Sequence, residues 1–490
     1  MKPIILILII QISILFISCE KENINIYPNQ PLEFSVDTIM FDTIFSTISS
    51  ITKTLKVYNN NNFEVSTNIS ISDKINSHYR INVDGESGNY FNNIVIDPND
   101  SIFIFVEVTI DPNNTNTPYL ISDSIIFISG EKQQKIKLIA YGQDAIFHTA
   151  NTFGNIITSS DTTKFYYHEI TTNETWNNEK PHVIYGYVII NPNCELIIEQ
   201  GTKIYLHKNS GIIVGNPFSN GGGSSLKVYG TLGNEVTFQG DRLDSWYDSI
   251  PGQWDRIWLF PGSVNNEFHY TNIKNGTVGI QADTIGNNNP TVIINNCRID
   301  NMSSIGILGQ GANIETNNTI ITKCGQHLIA CNIGGKYSFK HCTLVNYWNY
   351  NNRNTPSILL NNYYEGVDGN TYYRDLETAF FGNCILDGSL STEISFQENE
   401  NSLFNYKFDY CLIKIDPQIN TENSKFNNII KNENPQFKNK NTYDFHLNEN
   451  SLCINSGDIN ITQSSPILFN DIEGVSRGNL IDIGALEFSD

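Results

Sequence analysis

At 490 residues the chain exceeds one ordinary compact domain, so two folded units are expected, and 39% apolar content with abundant asparagine suits turn-rich β structure better than disorder. A formal net charge of −21 excludes nucleic acid as a partner, since phosphate recognition needs clustered Lys and Arg and none occurs. Acidic surfaces attract Ca²⁺, but no stretch has the Asp-x-Asp-x-Asp-Gly spacing of a calcium loop, so no metal or cofactor is expected.

Residues 1–18 combine Lys2 with an apolar run from Ile4 to Ile17, a pattern too short for a comfortable transmembrane span and typical of a signal peptide. The run ends at Phe16-Ile17-Ser18-Cys19, which resembles the lipobox of bacterial lipoproteins, with Phe16 where that motif usually has Leu. The resemblance implies lipidation of Cys19 and a membrane partner reached through the lipid anchor. Acyl chains on one residue hold it there because each buried CH₂ contributes about 0.8 kcal/mol. Glu20-Lys21-Glu22 in the linker 19–30 resembles the export signal that carries lipoproteins of Bacteroidetes-type bacteria to the outer cell surface. The expected location is therefore the outer membrane, facing the exterior.

Residues 31–145 hold short alternating segments, among them Thr54–Tyr58, Tyr79–Val83, Ser101–Ile110 and Lys135–Tyr141, separated by turns such as Asp97-Pro98-Asn99-Asp100. About seven such strands at regular spacing predict an immunoglobulin-like β-sandwich. The order also resembles sandwich domains of surface and ciliary proteins, which implies a spacer or docking role and no catalytic residues. A polar connector is expected over 146–182.

From Val183 onward strands of three to eight residues, rich in β-branched and aromatic side chains, each end in Gly, Asn or Pro. A phrase then recurs: Tyr270-Thr271, Asn296-Cys297, Asn318-Thr319, His341-Cys342, Asn383-Cys384 and Tyr410-Cys411, each followed two positions on by Ile or Leu. The Cys or Thr positions lie 26, 22, 23, 42 and 27 residues apart. One coil of a solenoid takes about 20–30 residues, so the long interval marks an insertion and the shared position an inward ladder of small side chains. Of nine cysteines, Cys19 is assigned to lipid; Cys297, Cys342, Cys384 and Cys411 belong to the ladder, and Cys324 with Cys331 remains a potential disulfide.

Glu199-Gln200-Gly201-Thr202-Lys203-Ile204, Leu226-Lys227-Val228-Tyr229-Gly230 and Asn234-Glu235-Val236-Thr237-Phe238 resemble the opening coils of right-handed parallel β-helix proteins with a pectin-lyase-like fold. Ser451–Asp458, Asp471–Gly474, Arg477 and Asp482–Phe488 resemble that family's closing segment. The resemblance implies an all-β chain in which an N-terminal immunoglobulin-like β-sandwich is followed by a right-handed parallel β-helix over 183–490. The whole combination resembles surface lipoproteins of Bacteroidetes-type bacteria.

Two patches are candidate sites. Asp241, Arg242, Asp244, Asp248, Asp255 and Arg256 supply carboxylates and guanidinium groups of the kind used in uronide elimination or glycoside hydrolysis, with Trp246 and Tyr247 beside them. Tyr347, Trp348 and Tyr350, with Tyr363, Tyr364, Tyr372 and Tyr373 of the insertion, offer rings on which sugar faces pack. Neither patch carries a lyase motif that matches residue by residue. Three functions stay open: a non-enzymatic surface protein binding a polysaccharide or a surface-protein ligand, a polysaccharide lyase or glycoside hydrolase, and a structural envelope component.

Overall fold

The structure, a computed structural model, describes residues 31–46, 48–112, 119–157, 162–283 and 289–489. Cys19, the signal peptide and the linker lie outside the described residues. The chain divides into two compact units between Asp144 and Ala145.

In the first unit two five-stranded sheets share one core. Strands at Lys53–Asn59, Tyr79–Val83 and Asp100–Val108 belong to one sheet; Thr38–Phe45, Val65–Ile71, Tyr90–Ile96, Tyr119–Ser129 and Lys132–Gln143 form the other. Alternation does the sorting: in Asp100–Val108, Ile102, Ile104, Val106 and Val108 are buried while Phe103 and Phe105 face out. All pairings are antiparallel except that of Thr38–Phe45 with Lys132–Gln143.

The second unit is dominated by three large parallel sheets. Sheet I has eleven strands, from Ile146–His148 to Ile430–Lys431; sheet II has ten, from Thr152–Ile157 to Ile394–Gln397; sheet III has ten, from Glu174–Trp176 to Phe426–Asn427. Through the middle of the stack each coil contributes one strand to each sheet in the order III, I, II, as in Val292–Asn295, Arg298–Met302 and Ile305–Gln310; beyond Gln397 only sheets III and I continue. Inward side chains of all three form one continuous core. The segment 146–182, expected as a polar connector, already contributes strands to all three sheets, and its Thr152–Ile157 pairs antiparallel with Thr162–Ile170 at the edge of sheet II.

The recurrent phrase marks the bend from sheet III to sheet I. Its first residue takes a left-handed backbone at every coil, with φ of 43° at Tyr270, 56° at Asn296, 46° at Asn318, 51° at His341, 51° at Asn383 and 52° at Tyr410. The Cys or Thr that follows points inward, and its Sγ–H or Oγ–H donates to the carbonyl two residues back: Thr271 to His269 (3.0 Å), Cys297 to Asn295 (3.2 Å), Thr319 to Asn317 (2.9 Å) and Cys384 to Gly382 (3.2 Å). Thiol and hydroxyl interchange here because both are small and both donate. All eight cysteines of the unit are free and buried, Cys324 and Cys331 included, and burial pushes the Cys297 thiol up to about 12.

After Lys431 the chain leaves the three sheets. The segment that resembles a closing segment lies over the outer face of sheet I, where Phe445, Leu447, Cys453, Ile472 and Ile483 pack on Ile320, Val345, Ile385 and Leu412. Buried Arg477 fastens this segment, donating to Glu487, to Asn318 Oδ1 (3.2 Å) and to the Gly484 carbonyl (3.1 Å).

At the other end of the stack His148 Nε2 and His182 Nδ1 meet at 2.9 Å, with the Trp176 ring stacked on both. Burial pushes His148 down to about 3 and His182 to about 4, so both are neutral in the folded unit. The unfolded chain takes up protons below its ordinary histidine pKa of about 6.5 and the folded one does not. Stability is therefore full above about pH 6.5 and declines toward the folded values, by at most about 1.4 kcal/mol per pH unit per histidine. Chemical denaturation at stepped pH checks this, and a His148→Gln variant with the same slope as the parent would count against it.

Candidate functional site

The aspartates singled out in the sequence do not assemble. Asp241 meets His207 Nδ1 at 2.7 Å, with the His207 ring stacked on Tyr185 at 4.4 Å. Asp248 pairs with Lys274 at 2.9 Å, and Asp244 directs its carbonyl to the Tyr247 N–H at the start of a short 3₁₀ helix, Ser245–Ser249. Arg242 lies over the Tyr247 ring and donates to its hydroxyl at 3.0 Å. Asp255 and Arg256 join each other (3.0 Å), Asp255 also accepting from the Tyr187 hydroxyl at 2.6 Å. Gln253, Asn275 and Asn301 donate to carbonyls of the loop between, and Trp254 is buried with its Nε1–H on the Lys274 carbonyl, so most of this polar stretch serves packing. Trp246 is left exposed.

The aromatic patch divides as well. Tyr347 gives its hydroxyl to Asp387, Trp348 is buried, and Tyr350 covers the Lys323 ammonium at 4.7 Å while bonding the Ser249 carbonyl. These three hold loops to the scaffold. The insertion is an antiparallel hairpin, Tyr363–Glu365 with Thr371–Tyr373, in which Tyr363 faces Tyr373 and Tyr364 faces Tyr372. The Tyr364 and Tyr372 rings stack at 5.1 Å and both are exposed.

Between this hairpin and the outer face of sheet II lies a cleft of about 750 Å³. Its floor is a polar ladder with one rung per coil: Asp283, Gln310, Asn332, Asn361 and Gln397. Gln310 pairs in register with Asn332 and Asn361 with Gln397; the pairs Ala282 with Gly309 and Cys331 with Leu360 set the remaining rungs one residue on. Adjacent strands are about 4.8 Å apart, so the five rungs span roughly 19 Å. The hairpin side carries Tyr363, Tyr364, Glu365 and Arg374. Arg374 lies against Gly311, where a Cβ would come within 2.1 Å of its Nη1 and where φ is 64°, so glycine alone leaves the guanidinium its place.

Asp283 anchors the ladder. Its carboxylate accepts from Trp258 Nε1 (2.6 Å), Gln281 Nε2 (2.9 and 3.0 Å) and Gln310 Nε2 (2.9 Å). Gln281 in turn accepts from Arg256, so a hydrogen-bonded chain runs from Asp255 and Arg256 into the cleft. One pair from the first sequence patch and two tyrosines from the second are thereby joined to one face. Sequence reasoning missed all five rungs. Their signal is a polar residue closing each sheet II strand at intervals of 27, 22, 29 and 36 residues, too irregular to recognise without the register.

Among the described residues no group of three or more His, Cys, Asp or Glu side chains is placed to hold a metal ion, and no helix is long and apolar enough to cross a membrane. No protein-family model and no curated relative matches the chain. Solved structures with some likeness include the catalytic domain of a GH87 α-1,3-glucanase in complex with nigerose, at 12% identity over 77% of this chain and 87% of that one, TM-score 0.20. A family 123 glycoside hydrolase from Clostridium perfringens, described for glycolipid glycan hydrolysis, matches 23% of this chain at 13% identity and TM-score 0.18; the match spans 26% of that enzyme's length. An ASH/PapD-like domain of human CEP192 matches 26% of this chain and 94% of its own at 12% identity and TM-score 0.17. By its own strand pairing the chain is an all-β protein with large parallel sheets.

Proposed function

We propose that the chain is a lipid-anchored, outward-facing outer-membrane protein that binds a carbohydrate chain without cleaving it. In this reading the first unit is an immunoglobulin-like sandwich acting as a spacer, and the second is a right-handed parallel β-helix of the pectin-lyase-like kind. The observation that carries it is the cleft on sheet II, where a ladder of amide and carboxylate groups faces exposed tyrosines across about 750 Å³. Amides both donate to and accept from sugar hydroxyls, while rings take the apolar faces of the sugar.

Catalysis is the weaker reading. Both oxygens of Asp283 already accept hydrogen bonds, and both oxygens of Glu365 lie 3.0 Å from the Thr371 hydroxyl. A carboxylate committed in this way serves as an acceptor and is poorly placed to deliver a proton to a leaving group. The test is a binding screen with neutral and acidic oligosaccharides on the full chain, followed by product analysis on whichever binds. Tyr364→Ala is expected to weaken binding about tenfold, the roughly 1–1.5 kcal/mol of a stacking ring. Soluble products that vanish in Asp283→Asn would overturn the non-enzymatic reading in favour of a lyase or hydrolase. For the anchor, Cys19→Ala should move the protein from the membrane to the soluble fraction; retention on the membrane refutes it.

A further inference from the structure

The outer face of sheet I changes character at Arg298. Beyond it the outward row runs Ile320, Thr343, Ile385 and Leu412, and the C-terminal segment covers it. Before it the same row is Lys203, Thr237, Asn272 and Arg298, uncovered and polar. A second row carries Tyr205, Gln239, Lys274 and Asp300, and together the two rows line a cleft of about 390 Å³. Three cations in one cleft stand out on a chain with a formal net charge of −21.

Two of these cations have partners at the cleft's margin: Lys274 pairs with the largely exposed Asp248 at 2.9 Å, and Arg298 with Glu473 of the C-terminal segment at 2.7 Å. Lys203 is exposed and has no ion-pair partner among the described residues. Asp300 lines the same cleft, and its Oδ1 is shielded from solvent with no hydrogen-bond partner, so it is out of a ligand's reach and its burial disfavours the charged carboxylate. A simple inorganic anion would meet the cations alone, whereas a sugar acid brings a carboxylate for them and, on one ring, hydroxyls for the Thr237, Gln239 and Asn272 side chains of the same face.

We propose that this cleft is a second glycan site, specific for an acidic sugar unit, with Lys203, Lys274 and Arg298 holding its carboxylate and Gln239 and Asn272 meeting its ring hydroxyls. The site lies on a different sheet from the ladder cleft and does not depend on the reading of that cleft.

Burial pushes the Asp300 carboxyl up to about 6, with Lys323 and Lys274 pulling it the other way. The charged groups around it are Lys274 on the strand before, backed by Asp248, Arg298 on its own strand, and Lys323 on the strand after, whose ammonium is covered by the Tyr350 and Tyr443 rings. Above pH 6 the Asp300 charge opposes a ligand carboxylate; below it the neutral carboxyl does not, so acidic-sugar binding tightens as pH falls through about 6.

The experiment is calorimetric titration of the full chain with a galacturonic acid tetramer and with its methyl-esterified, uncharged counterpart. The acid form is expected to bind about tenfold or more tightly than the ester. Lys203→Glu should remove most of that preference at an unchanged thermal midpoint, Tyr364→Ala on the ladder cleft should leave it intact, and Asp300→Asn should abolish the pH dependence. Equal binding of acid and ester, no binding of the acid, or a preference lost in Tyr364→Ala but kept in Lys203→Glu would each overturn the proposal.

Discussion

Glu393→Ala is expected to destabilise the second unit by about 3–5 kcal/mol, the cost of leaving a buried charge without its partner. Glu393 and Arg353 are both fully buried, and the guanidinium meets the carboxylate through both terminal nitrogens, at 2.6 and 2.8 Å. The same carboxylate accepts from the Ser357 N–H (3.0 Å), the Ser357 hydroxyl (2.6 Å) and the Leu390 N–H (2.8 Å). Removing it strands one cation and three other donors. Replacing the pair together, Arg353→Met with Glu393→Leu, removes the stranded charge and should recover part of the loss, the Ser357 and Leu390 donors and the Thr355 and Asn346 carbonyls remaining without these partners. Urea denaturation of the single and paired variants separates the two cases. A single-variant loss below about 1 kcal/mol, the range of an exposed ion pair, would show that Glu393 is not the keystone of this loop.

That ion pair was not legible in the sequence, although Arg353 stands among the aromatic residues of the second patch. Its partner lies 40 positions away, across the insertion, and only the register of sheet II brings the two together. The same cause hid the ladder cleft. Asp283, Gln310, Asn332, Asn361 and Gln397 are ordinary polar residues at strand ends, and their alignment exists only once coils of unequal length are stacked. The bend from sheet III to sheet I was legible because a purely local requirement repeats there. A residue that tolerates positive φ precedes a small inward donor, so Asn-Cys and Asn-Thr recur whatever the loops between them do.

Two stretches show a further limit of reading side-chain type alone. The apolar residues of the C-terminal segment are of the same kind as those inside the coils, yet they cover the outer face of sheet I. Tryptophan and carboxylates close together resemble a sugar site, and of the three rings near this patch Trp254 is buried and Trp258 donates to Asp283, so two of them support the scaffold while Trp246 stays exposed. Side-chain type alone does not separate a ring that packs from a ring that binds.

Phe381→Ala should have a comparable effect and a direct functional consequence. Phe339, Phe381, Phe408 and Phe426 stack through the core on successive strands of sheet III, with centroids 4.8, 4.8 and 5.5 Å apart and planes within 14° of parallel. Truncating a buried phenylalanine costs about 3–5 kcal/mol, and this one also breaks two ring contacts in the column. Because each coil of such a stack contacts mainly its neighbours, the damage should be local. The strand carrying Phe381, Leu376–Gly382, follows directly on Arg374 and the hairpin that walls the ladder cleft. Limited proteolysis is therefore expected to cut the variant between the hairpin and Lys431 while leaving the coils before Asn332 intact, and glycan binding at the ladder cleft should fall with it. Uniform loss of protection along the stack would instead mean that the coils unfold as one cooperative block, and the hairpin's anchorage to this column would then have no separate consequence for binding.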